Sequence, residues 1–228
     1  MKIGTLIFPG IDQLDFTGPF EILSRLPRAK NYAVWKEREP VRDIHGLILT
    51  PDVTIAACPA LDVLVIPGGP GQEELMEDRE IIGFIRDRAP KARVVLSVCT
   101  GALLCGAAGL LVGRPATTHW ASFDLLKYFG AKPRRSRVVI SGNLITCAGV
   151  TSGIDAALAA AAKLVGIRAA KVIQLAVEYA PAPPFVSGDI QTAPRAIRVA
   201  ARSQFAQITS RRLRTARRFE KSNLLASR

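Results

Sequence analysis

The chain of 228 residues has few of the side chains that build metal centres. It has only two histidines, His45 and His119, and its four cysteines (Cys58, Cys99, Cys105 and Cys147) form no C-x-x-C pair. A zinc site of the usual spacings therefore has no support, and no metal is expected. Also missing is an apolar run of membrane-spanning length. The first apolar run, residues 3–8, stops at Pro9-Gly10 and is too short for a secretory leader, so a cytoplasmic protein with reduced thiols is expected. With no internal repeat and no long linker, one domain is expected rather than two. Hydrophobic residues at 49% and charged residues at 22% exclude a disordered chain.

Acidic residues are scarce in one place. Residues 191–228 hold ten Lys or Arg against Glu220 alone, whereas the other 190 residues hold 21 basic and 18 acidic side chains. The net charge of +12 is thus mostly a property of the tail. The expectation is a solvated face on a basic helical extension, residues 191–228, of a domain spanning 1–190. Neither a membrane nor a nucleic acid is the expected partner.

What is present is an alternation of short apolar runs with helical stretches, the pattern of a mostly parallel sheet covered on both faces. Strands are predicted at residues 3–8, 32–36, 46–50, 62–66 and 93–98, and a hairpin at 138–140 and 144–147. Helices are predicted at 18–26, 79–88, 100–107 and 151–165, an amphipathic stretch at 120–129, and a last helix from about Pro194.

Two glycine-bearing turns follow buried strands, I-P-G-G-P-G at 66–71 and S-V-C-T-G-A at 97–102. In open α/β sheets such turns gather at the carboxyl ends of the strands, where ligands bind. The second turn places Cys99 between strand and helix, as in the nucleophile elbows of hydrolases. There, free amides and the helix dipole are expected to favour the thiolate. The Thr100 amide is one candidate oxyanion donor and Gly69 a second. Asp15, just past the first strand, is expected at the same sheet edge as a proton-transfer partner. His119, in T-T-H-W at 117–120, is an accessory candidate whose plainer reading is a hydrogen-bonded structural residue.

At these residues the chain resembles the ThiJ/PfpI superfamily and, within it, the isonitrile hydratases. The resemblance runs from Ile3 to about Pro184. It is carried by Q-L-D-F-T-G-P (13–19), L-D-V-L-V-I-P-G-G (61–69), S-V-C-T-G (97–101), A-A-G-L-L (107–111), A-T-T-H-W (116–120) and E-Y-A-P-A-P-P-F (178–185). It implies a flavodoxin-like three-layer sandwich, a homodimer, and a small isonitrile substrate hydrated to an N-substituted formamide without a cofactor. Cys99 would attack to give a thioimidate, Asp15 would act as general acid/base, and Thr100 and Gly69 would bind the reacting group. The chain departs from the superfamily's proteases and glyoxalase-like members at Thr100, where those tend to carry histidine. Cys147 stands where the similar hydratases carry what looks like glycine. A glyoxalase-like or deglycase enzyme, a cysteine-based redox sensor and a transcription-regulator-like module stay open as alternatives.

Overall fold

The computed structural model describes residues 1–226. Seven strands form the central sheet: β1 (Lys2–Leu6), β2 (Lys30–Trp35), β3 (Val53–Thr54), β4 (Val63–Ile66), β5 (Val94–Ser97), β6 (Val138–Ser141) and β7 (Leu144–Cys147). They lie in the order β6-β7-β5-β4-β1-β2-β3, and every pairing is parallel except β6 with β7. The central strands are buried along their whole length, as the unbroken runs Val63-Leu-Val-Ile66 and Val94-Val-Leu-Ser97 require.

Alternate side chains feed two cores. Val63, Val65, Val94 and Leu96 face α1 (Gln13–Leu23) and α4 (Ser152–Val165). Leu64, Ile66 and Val95 face α2 (Arg79–Arg88) and α3 (Gly101–Ala107), with the 3-10 stretch Trp120–Phe129 beside them. In α2, Ile81, Phe84 and Ile85 turn inward, each worth on the order of 2 kcal/mol of burial, and Asp78 caps the start by accepting from Glu80 and Ile81 amides. In α4 four alanines, Ala156, Ala157, Ala160 and Ala161, are fully buried. Their small side chains let the helix lie close to the sheet.

Several boundaries differ from expectation. The first helix starts at Gln13, not Gly18, because Asp12 accepts from the Leu14 amide and caps it, leaving Gly18 and Pro19 inside. The expected strand at 46–50 shrinks to Ile48–Leu49 and pairs antiparallel with Val41–Arg42 outside the main sheet. Asp43 draws this segment into a turn by accepting from the His45 and Leu47 amides. The strand that closes the sheet beside β2 is the two-residue β3, and helix α5 (Ile167–Ala176) has no counterpart among the expected elements. The last helix, α6 (Arg195–Ala226), packs along the 3-10 stretch and the short helical turn Gln72–Leu75.

The order of strands reverses at β1, whose neighbours are β2 and β4. The loops leaving β1 and β4 therefore diverge, and a crevice opens between them at the carboxyl edge.

Candidate active site

Three turns meet at that crevice. β1 leads to Asp15 in the first turn of α1, β4 leads to Gly68 and Gly69, and β5 leads to Cys99. Their close approach depends on glycine. A Cβ on Gly68 would lie 2.5 Å from Thr100 Oγ1 and 3.0 Å from Asp15 Oδ2, and one on Gly101 would lie 2.0 Å from the Ile66 carbonyl.

Cys99 sits at φ 54°, a left-handed conformation that costs a non-glycine residue about 1–2 kcal/mol. It is pinned from both sides: its amide donates to the Ala148 carbonyl at 3.0 Å, and its carbonyl accepts from the Thr118 hydroxyl at 2.7 Å. This geometry forms the sharp strand-to-helix elbow and aims the side chain at Asp15.

The Asp15 carboxyl is wholly buried. Oδ2 accepts from the Gly68 amide at 2.8 Å, and Oδ1 has no well-formed hydrogen bond among the described residues. Burial pushes its pKa up to about 7, with the Asp12 charge adding to the rise; the Gly68 amide and the Cys99 thiol, within hydrogen-bonding reach, oppose it.

Burial, and then the Asp15 carboxylate, also push the Cys99 thiol well above its ordinary value, against the Thr100 amide, the Arg212 guanidinium and the Val150 amide. The expectation of a resting thiolate is therefore corrected. α3 has only seven residues, and its end cannot outweigh desolvation. The two groups form a buried pair that must be treated as one titrating unit.

The amide of Gly69, the second expected oxyanion donor, donates to Thr100 Oγ1 at 3.2 Å. The amides that act on the sulfur are those of Thr100 and Val150, and Val150 carries no sequence signal. His119 is a cap: its Nδ1 accepts from the Ala121 amide at 3.3 Å at the head of the 3-10 stretch. Burial, with Arg212 nearby, lowers its pKa to about 4, so it is neutral at pH 7. Cys147 is fully buried and bonds the Ser97 carbonyl at 3.4 Å.

Arg212, from the basic tail, was not anticipated as part of the site. It is buried, its Nη2 donates to the Gly69 carbonyl at 2.7 Å, and it lies 3.4 Å from Thr100 Oγ1. The tail's outer face is solvated as expected, but this position is not.

Next to the elbow lies a cavity of ≈ 880 Å³, walled by Thr118, His119, Trp120, Val150, Ile154 and Tyr179 among others. Through Thr118 and Val150 it adjoins Cys99, which keeps 6% exposure where Cys105 and Cys147 have none.

A flavodoxin-like sheet bearing this elbow defines a class, and the chain belongs to the DJ-1/PfpI family, whose model matches residues 1–163. More particularly, it is 52% identical over 215 residues to the isonitrile hydratase of Pseudomonas putida, covering 94% of this chain and 93% of that one. A crystal structure of a ThiJ/PfpI family protein from Pseudomonas syringae superposes with a TM-score of 0.91 at 41% identity, covering 94% of this chain and 90% of that one. A glutathione-independent glyoxalase of Caenorhabditis elegans is 30% identical over 122 residues, 53% of this chain and 65% of its own length.

Proposed function

We propose that this protein is an isonitrile hydratase, converting R–N≡C and water to an N-substituted formamide. The observation that carries the reading is the 52% identity to an isonitrile hydratase along nearly the whole of both chains. The buried pair Cys99–Asp15 supplies a chemistry that fits it.

The terminal carbon of an isonitrile is both nucleophilic and electrophilic, so it needs a proton and a nucleophile together. Asp15, ionised, takes the thiol proton as sulfur approaches. The C–S bond forms, and the carboxyl delivers that proton to the same carbon, giving the thioimidate R–N=CH–S–Cys99. A pKa near 7 suits a carboxyl that must accept and return a proton in one cycle. Water then adds to the thioimidate carbon while nitrogen gains a proton, and the resulting adduct collapses to R–NH–CHO and the free thiol. The Thr100 and Val150 amides steady negative charge on sulfur, with the Thr100 hydroxyl and Gly69 holding the turn in place. The R group occupies the cavity, against Trp120 and Ile154.

In this reading residues 1–190 are the catalytic domain and residues 191–228 its extension. The protein works in the cytoplasm as a homodimer on a small molecule. Among the described residues no helix is long and apolar enough to cross a membrane.

Steady-state formation of formamide from a panel of aryl and cyclohexyl isonitriles tests the proposal. Cys99→Ala and Asp15→Asn should each lower turnover by at least about 10³-fold. Substantial activity in either variant, or turnover of methylglyoxal with none of any isonitrile, overturns it.

A further inference from the structure

Helix α6 presents Phe205, Ile208, Arg212, Ala216 and Phe219 at helical spacing on its inward side, and Arg212 is the cation in that stripe. A buried guanidinium is costly unless oxygen atoms and opposite charge compensate it. Its oxygens are the Gly69 carbonyl at 2.7 Å, Thr100 Oγ1 at 3.4 Å and Ser122 Oγ at 3.5 Å. Because Thr100 Oγ1 also accepts from the Gly69 amide, the three residues close a ring. That ring joins the turn after β4 to the residue following Cys99.

The charged groups around it come from several elements. Glu73, on the short helical turn, attracts the guanidinium but pairs with Arg211 at 3.5 Å and accepts from the Thr215 hydroxyl. His119, from the head of the 3-10 stretch, is neutral at pH 7. Cys99 faces it, with Asp15 behind the sulfur, and the neighbouring Arg211 guanidinium on the same helix repels it. Arg212 is itself lowered by burial to about 10 and stays charged at neutral pH. Its hydrogen bonds go to a carbonyl and two hydroxyls, so its field still falls on the sulfur.

We propose that Arg212 is a positioning residue for the Cys99 site, tying the Gly69 and Thr100 turns together and supplying the fixed positive charge that favours an anionic sulfur. The proposal rests on reading Cys99 as the nucleophile. The family model ends at residue 163, so this group reaches the site from outside the matched segment.

The test follows alkylation of Cys99 by iodoacetamide against pH, by peptide mass, together with Tm and with kcat and KM for cyclohexyl isonitrile. Arg212→Gln should raise the alkylation midpoint by about one pH unit and lower kcat more than about tenfold with little change in KM. Arg212→Lys, which keeps charge but loses the planar fork, should move the midpoint less than half as far. Ala216→Gly loosens the same helix one turn on and should lower Tm while leaving the midpoint in place. A wild-type midpoint in Arg212→Gln, or an equal shift in Ala216→Gly, overturns the proposal. Should Arg212→Gln not fold, Arg212→Lys decides: lowered kcat or alkylation rate supports the role, and wild-type values for both refute it. If the unmodified protein hydrates no isonitrile, the hydratase reading fails, while the alkylation measurements still judge Arg212.

Discussion

Cys99 and Cys105 stand six residues apart, one at the entrance to α3 and one inside it, and both thiols are buried and held in the protonated form. Cys105 lies within the apolar core formed with Leu103, Leu104 and Phe129, its thiol pushed up to about 12 by burial. Cys99 is also desolvated, yet it has two amides, a carboxyl and a guanidinium as neighbours. What separates the two thiols is therefore less their depth than what else is buried with them. Beside Cys105 the polar side chain is the Ser97 hydroxyl, which is no base at neutral pH, whereas Cys99 has the Asp15 carboxyl within hydrogen-bonding reach.

Alkylation separates the two most widely. At pH 8 iodoacetamide should modify Cys99 at least about 100-fold faster than Cys105 or Cys147, read by peptide mass; comparable rates would erase the distinction. A smaller effect comes from pH. While Asp15 and Cys99 hold two protons between them, no anionic sulfur can form without losing one, and Asp15 gives its proton up at about 7. The kcat/KM for hydration should therefore rise roughly tenfold from pH 6 to the plateau above pH 8. A flat profile across that range would remove Asp15 as the controlling group. Smallest of all, Cys105→Ala should leave kcat/KM within about twofold and lower stability by about 1 kcal/mol, the cost of one small vacancy in a packed core. A marked loss of turnover there would show that the two sites are coupled.

Much of the fold is legible because its signals are local. α2 runs from Arg79 to Arg88 as expected, since the Asp78 cap, the inward isoleucines and Pro90 all agree. The two central strands, the elbow and the hairpin at Gly142 likewise follow from apolar runs and turn residues. Where local signals conflict they mislead: Gly18-Pro19 looks like a helix start, but Asp12 caps one turn and more earlier. β3 has two residues and too little pattern to read. The side chains of α5 that break the surface, Ile167, Val172 and Leu175, gave no clean stripe.

The juxtaposition of Cys99 with Asp15 could be read because both follow strands that end at the same edge. Arg212 could not be read from charge, being one of ten cations in the tail. Its signal was positional, a cation at the spacing of Phe205, Ile208, Ala216 and Phe219. Cys99 is not the expected thiolate because desolvation acts on a charge from every direction, and a seven-residue helix acts from one.

The bond from Arg212 to Gly69 joins residues 143 positions apart. Every other group that acts on the sulfur lies at or before position 150 and leaves the ribosome earlier. During synthesis the elbow can thus take shape, with its cysteine already sheltered beside the carboxyl, while its counter-charge has yet to be made. On the role proposed for Arg212, the sulfur gains this counter-charge only once residue 212 has been translated, and until then its reactivity is muted.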